Sequence, residues 1–264
     1  GLRLAAAEAL GRMTTTGQTR AAAALADGSI VDRLVAIAML GSHESSDAVA
    51  VLLRLASDAQ PAVAAAALER LIEIDPRHAG PLAAGLSTRN DARVRLLAGR
   101  VLHAMQTPEA VAALAPLLDD PDPTVRESAR RWMIELDGID GLAAAVRRGA
   151  TRVLMDESWR GLEQAARVLG AVDQESAGPR LVELVQHPRG EVRVAAATAL
   201  RWLAVEQLLP AMLEQSQRIA ELQQRTLEQI EADGGEYDLS DLDEQQAQLM
   251  QAFGRMDYRE AEPL

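Results

Sequence analysis

The sequence predicts an all-α protein built as a solenoid, in which helical hairpins stack side by side. Two observations support this prediction. Alanine and leucine dominate while only 2% of the 264 residues are aromatic, a composition that favours closely packed helices over sheets. In addition, one helical pattern recurs with a spacing of about 31 residues, and self-similarity at a fixed period is typical of repeat architectures.

Each copy of the pattern begins at an apolar anchor. It continues with Ala at +4, usually a small or apolar residue at +7, Leu or Met at +8 and an apolar residue at +11. These positions lie on one stripe of a 3.6-residue helix, so each copy predicts one amphipathic helix. The clearest copies start at Leu2, Val63, Val94, Val125 and Val192, and weaker copies start near Val31 and at Gly161.

Another set of small and apolar positions precedes these copies. Alanine stands fifteen residues, and leucine eight residues, before four of the anchors. Proline or glycine lies between the two sets, as at Pro61 and Pro123, and such residues end helices and form turns. The predicted unit is therefore a first helix, a tight turn and a second helix that carries the anchor. Because neither helix can bury its stripe alone, consecutive units must stack.

This unit resembles the HEAT repeat, in particular the short bacterial form that also occurs in phycobilin lyases. The resemblance covers residues 1–204 and implies a right-handed superhelix of about six to seven repeats. We expect the first repeat to be truncated, since the chain enters directly at a second helix. HEAT repeats often carry Asp in the turn and Arg six residues later, as a structural ladder. The matching residues here are Asp27 with Arg33 and Asp120 with Arg126.

The repeat rhythm stops near residue 205, and residues 205–264 are predicted to form an acidic helical tail, as a helical hairpin. The tail holds 14 Asp and Glu against 4 Arg, within a net charge of −12 for the chain. Trp202, just before it, stands where earlier copies carry Arg or Glu. We expect the tail to cap the solenoid and cover this ring. Alternatively, the hairpin docks on a partner, or its acidic residues contact the groove of the solenoid.

The candidate binding surface is a row of arginines on the exposed side of the second helices. Stacking is expected to bring together Arg100, Arg130, Arg131, Arg167 and Arg201. In HEAT-like folds this side lines a concave groove, so the row predicts a site for an acidic peptide, phosphate groups or the acidic tail. The alternative is local ion pairing, since Glu127 and Glu163 stand four residues before two of these arginines, an order that stabilises helices.

The sequence offers no residues for catalysis or for cofactor binding. It has no cysteine, and no phosphate loop or nucleophile motif occurs. The four histidines fall in different repeats without metal-ligand spacing, at His43, His78, His103 and His187. The HEAT-like deoxyhypusine hydroxylases bind iron through several His-Glu pairs, whereas here only His43 is followed by Glu. We therefore expect neither an enzyme nor a metal or cofactor site.

Together these features predict a bacterial, cytoplasmic, non-enzymatic scaffold that binds a protein partner. Every one of the 27 basic residues is arginine, which indicates GC-rich coding, and no apolar run is long enough to span a membrane. The first alternative is a nucleic-acid-binding module that uses the arginine row, although the acidic composition makes nucleic acid the weaker partner. The second is a chromophore-handling protein similar to the bilin lyases.

Overall fold

A computed structural model of the chain describes residues 15–41, 44–233 and 239–256. Within these residues it contains fourteen α-helices, joined by turns and short 3-10 segments, and no strand. The predicted all-α solenoid fold is therefore confirmed. The copy of the repeat pattern at Leu2 lies outside the described residues, as does His43.

The chain divides into two compact units, of which unit 1 comprises residues 1–114. Its helices are α1 (Thr15–Leu25), α2 (Ile30–Leu40), α3 (Ser46–Ala56), α4 (Pro61–Ile74), α5 (Gly80–Leu86), α6 (Ala92–Met105) and α7 (Pro108–Leu114). They form helix-turn-helix pairs, with α1 packed on α2, α3 on α4 and α5 on α6. The second helices α2, α4 and α6 also pack on one another in order, as stacked repeats do.

Unit 2 comprises residues 115–264. Its helices are α8 (Pro123–Asp137), α9 (Ala143–Leu154), α10 (Trp159–Ala171), α11 (Gly178–Leu184), α12 (Gly190–Leu203), α13 (Leu209–Asp233) and α14 (Ser240–Arg255). Helix α8 is the first of four second helices, each packed directly on the next: α8 on α10, α10 on α12, and α12 on α14. None of the described helices in either unit is long and apolar enough to cross a membrane.

The apolar stripe of the repeat pattern is the buried face of the second helices. In α12 the anchor Val192 and the residues at +4, +7 and +8, namely Ala196, Ala199 and Leu200, are buried. The corresponding positions of α6, α8 and α10 are buried as well. Alanine at +4 lets neighbouring helices approach closely, which is why so few aromatic residues can fill this core.

Helix α14 is the second helix of a further repeat, although the repeat pattern did not predict it. Counted from Gln245, buried residues stand at +4, +7 and +8 as Leu249, Ala252 and Phe253, so the spacing matches that of α12. The anchor is polar, yet its amide is satisfied. Its Nε2 donates to the carbonyl oxygen of Val185 at 2.6 Å, and its Oε1 accepts from Nε of Arg193 at 3.2 Å. The domain boundary between residues 204 and 205 stays a prediction.

In three of the described repeats the residue after the anchor is an arginine that binds the main chain of its own turn. Nη1 of Arg95 donates to the carbonyl oxygens of Arg89 and Asn90 at 2.9 and 2.7 Å. The same two bonds run from Arg126 to residues 120 and 121, and from Arg193 to residues 187 and 188. A charged donor thus satisfies carbonyls at the end of each first helix that lack helical partners.

These bonds correct the predicted carboxylate ladder. Arg126 contacts Asp120 through the main-chain oxygen of Asp120, and the carboxylate of Asp120 accepts from the amide of Asp122. In unit 1 the carboxylate of Asp27 contacts Arg54 at 3.1 Å, while Arg33 contacts Asp58 at 3.3 Å. Because Arg95 and Arg193 donate to main-chain oxygens of their turns, Arg89 and His187 can stand where the family pattern has Asp.

We expect Arg95→Lys to lower the free energy of unfolding by about 1 kcal/mol, because a single ammonium cannot reproduce the two guanidinium bonds to the turn. Arg93→Lys is the matched control. Arg93 is mostly exposed and forms an ion pair with Glu69 at 2.6 Å, a surface pair that contributes little. Urea denaturation followed by circular dichroism measures both variants, and equal losses would show that the turn carbonyls do not matter.

Candidate functional site

The second helices of unit 2 approach one another so closely that their exposed sides form one surface. A Cβ atom added to Gly170 on α10 would lie 2.7 Å from Cα of Ala199 on α12, so the two backbones are nearly in contact. We call this surface the second-helix face. Its exposed or half-buried side chains include Arg131, Arg167, Ala171, Arg201, Trp202, Gln251 and Arg255.

On the first half of this face, along α8 and α10, every predicted arginine has an acidic partner. Arg130 lies 3.9 Å from Glu127 and also donates to the buried amide of Gln164 at 3.3 Å. Arg131 lies 3.8 Å from Glu135. The expected partner of Glu127 was Arg131, so this pairing was wrong by one position, because Arg131 turns toward the next helical turn.

The other expected ion pair, which lies on α10, does form, and Arg167 is 3.0 Å from Glu163. The half of the face on α8 and α10 is therefore close to electrically neutral. Each pair is at least partly exposed, and such pairs contribute little to stability. They do, however, cancel the positive potential that a row of free arginines would produce.

On the second half, along α12 and α14, two cations and an indole ring meet. The guanidinium of Arg201 lies 4.9 Å from the ring centroid of Trp202, and that of Arg255 lies 5.4 Å from the same centroid. Nη1 of Arg201 also donates to Oε1 of Gln251 at 2.5 Å. Within the part of the chain that the structure describes, neither arginine forms an ion pair with a carboxylate. The end of this half around Trp202 therefore carries two guanidinium groups that have no carboxylate partner among the described residues.

Trp202 is less covered than the sequence led us to expect. Trp202 is 52% exposed, so the described part of the tail leaves much of this residue uncovered, and the docking of the tail at Trp202 stays a prediction. The tail helix α14 instead covers α12 through Leu249, Ala252 and Phe253, which are buried. The guanidinium of Arg255 on α14 reaches the ring. Trp202 stands at +10, outside the buried stripe, and this position explains its exposure.

Arg100 lies exposed on α6, in unit 1, whereas the other four predicted arginines lie in unit 2. Its membership of one continuous row therefore stays a prediction. The described histidines lie apart in sequence, and Nδ1 of His187 accepts from the amide of Arg189. Among the residues that the structure describes, no three His, Asp or Glu side chains are grouped so that they could hold a metal ion.

Comparison with known proteins agrees with this architecture. A chain of the Kap95p–RanGDP structure, in which Kap95p binding induces the switch loops of RanGDP to adopt the GTP-bound conformation, is similar at a TM-score of 0.64 and 14% identity. The similarity covers 93% of this chain, which spans 37% of that chain. At this identity it shows the fold alone. A search of the curated proteins found no match.

Two further solved structures are similar at lower TM-scores. The CpcE–CpcF complex of phycocyanin lyase from Nostoc sp. has a TM-score of 0.42 and 18% identity, covering 93% of this chain and 95% of that chain. Human deoxyhypusine hydroxylase has a TM-score of 0.37 and 16% identity, covering 97% of both chains. Similarities at these TM-scores do not bear on the function of this chain.

The stacked helical hairpins and the direct packing of their second helices define the chain as an α-solenoid of helix-turn-helix repeats. Residues 150–228 match the family model described as HEAT repeats. This part of the chain, which runs from within α9 to within α13, is therefore similar to HEAT repeats, and the resemblance stated from the sequence is confirmed.

Proposed function

We propose that this protein is a non-enzymatic scaffold that binds a protein partner on the second-helix face. The observation that supports this most is the continuity of that face across four stacked helices of unit 2. Arg130 of α8 contacts Gln164 of α10, and Arg201 of α12 contacts Gln251 of α14. A surface that extends over several repeats suits another protein better than it suits a small molecule, which needs an enclosing pocket.

The alternatives have weaker support in the site. A nucleic-acid-binding face needs an extended positive field, but Glu127, Glu135 and Glu163 neutralise the arginines on α8 and α10. A role similar to that of the bilin lyases rests on the type of repeat alone. The proposal that the chain is not an enzyme rests on the sequence, which shows no motif that combines a nucleophile with a general base. A cytoplasmic location is part of the same proposal.

Site-specific photocrosslinking tests the face directly. Benzoylphenylalanine would replace Ala171, which is exposed on the second-helix face at the end of α10. The matched control is Ala144, which is exposed on the first helix α9 of the same repeat. In extracts of the cells that contain the protein, we expect a discrete protein adduct from position 171 and none from position 144. Adducts of equal yield at both positions, or at neither, would contradict the proposal.

A further inference from the structure

The second-helix face is divided into two electrically different halves, and this division was not evident from the row of arginines. The three arginines on α8 and α10 are paired with glutamates at 3.0 to 3.9 Å. In contrast, Arg201 and Arg255 contact an indole ring and an amide. A guanidinium gains little screening from these neutral groups, so its charge remains available to an anion.

We propose that Arg201, Trp202 and Arg255 form a docking patch for an acidic peptide segment of a protein partner. This inference rests on the proposed scaffold function and adds the chemistry of the partner. The two guanidinium groups flank one ring, at 4.9 and 5.4 Å from its centroid, so two carboxylates of one short segment can reach them together. Arginine binds a carboxylate through two parallel N–H bonds, which favours this partner over a neutral one.

The patch is also organised before any partner binds. The indole holds both cations through cation–π contacts, and Gln251 fixes Arg201 at 2.5 Å from Nη1 to Oε1. Side chains that are already ordered lose less conformational entropy on binding. The exposed half of the ring offers an apolar contact between the two charges, and tryptophan and arginine are the residues most enriched in binding hot spots.

The charge around the patch favours an acidic peptide over nucleic acid. The arginines of the neighbouring helix α13 are already paired, Arg218 with Glu214 and Arg225 with Glu221. Among the described arginines of α12, α13 and α14, those without a carboxylate partner are therefore Arg201 and Arg255. A phosphate backbone needs a longer positive track for binding, whereas two carboxylates spaced by one apolar side chain match the patch.

Fluorescence anisotropy of a labelled peptide, Glu-Leu-Glu-Glu-Leu-Glu, tests the patch on the full-length protein. The control peptide has Gln in place of each Glu. We expect the acidic peptide alone to bind, and the double variant Arg201→Gln/Arg255→Gln to weaken its binding at least about tenfold through loss of two charge-assisted contacts. The matched double variant Arg148→Gln/Arg152→Gln removes two exposed arginines from the first helix α9, outside the second-helix face, and we expect less than a twofold effect.

A single variant, Arg255→Gln at the exposed end of α14, keeps the test valid if the double variant does not fold. We expect it to weaken binding by about threefold or more. Equal loss in the two double variants would overturn the patch, as would equal binding of the acidic and control peptides. Tighter binding of a short oligothymidylate with the same number of charges would assign the patch to nucleic acid.

The acidic residues Glu260 and Glu262 of this chain are the competing occupant of the patch. The same peptide-binding assay tests for them. Binding of the peptide only after Glu260→Gln/Glu262→Gln would assign the patch to the protein's own segment and overturn the partner proposal. If the peptide fails to bind while position 171 still crosslinks to a protein, the scaffold function stands and only the acidic patch is wrong. If both fail, the scaffold proposal is wrong as well.

Discussion

Phe253→Ala is expected to lower the free energy of unfolding of unit 2 by about 3–5 kcal/mol, the usual cost of removing a buried phenylalanine. Phe253 is 2% exposed and stands on the face of α14 that packs on α12. Because the neighbouring core residues are mostly alanine and leucine, little side-chain volume is available to fill the cavity. Repeats contact only their neighbours, so the loss should fall first on α14 and α12.

Hydrogen exchange resolved by mass spectrometry measures this local effect alongside urea denaturation. We expect faster exchange in α14 and α12 and unchanged exchange in α8. Leu227→Ala is the control, because Leu227 lies on α13 in the same unit but is 51% exposed, and its truncation should change stability by less than about 0.5 kcal/mol. Similar losses of unfolding free energy in the two variants would contradict the assignment of α14 as the second helix of a repeat.

Much of the solenoid could be predicted from the sequence because the burial of a second helix depends on a few positions with fixed spacing. The stripes that begin at Val94, Val125 and Val192 correspond to α6, α8 and α12, and their anchors are buried. The weak copy at Gly161 corresponds to α10, where glycine is needed for close approach to Asp119 and Val153. A pattern of apolar residues cannot by itself show such a need.

The repeat formed by α13 and α14 was not recognised in the sequence for two physical reasons. Its first helix, α13, has 25 residues, so the 31-residue rhythm is lost before α14 begins. Its anchor is Gln245, whose buried amide is satisfied by Val185 and Arg193. A search by spacing alone, with a polar residue allowed at the anchor, would have found Leu249 and Phe253 at +4 and +8.

Most residues of the candidate site could be predicted from the sequence, but the net charge around them could not. The sequence places the arginines on one side of the helices, yet whether each one is neutralised depends on side-chain rotamers. Glu127 reaches Arg130 and not Arg131, so helical spacing alone did not identify the pair. The positive patch depends in addition on Arg255 of α14, a residue whose helix was not recognised as part of the stack.

Gly170→Ala is expected to destabilise the protein by about 1–3 kcal/mol, which is the opposite of what helix propensity alone predicts. In an exposed helix, alanine is more favourable than glycine by about 1 kcal/mol. At Gly170, however, the new Cβ would lie 2.7 Å from Cα and 2.9 Å from Cβ of Ala199. The first contact is with backbone, so α10 and α12 must move apart and lose packing along their whole interface.

Gly254→Ala is the control, because it measures the effect of helix propensity on stability without a steric clash. Gly254 lies exposed near the end of α14, and an added Cβ there would meet no atom within 4 Å, so the substitution should stabilise the helix by about 0.5–1 kcal/mol. Urea denaturation of the two variants should therefore give changes of opposite sign. The sign at Gly170 measures how closely the second helices stack, and that closeness is what makes their exposed sides one continuous surface. Stabilisation by both variants would mean that α10 and α12 are farther apart than the structure has them.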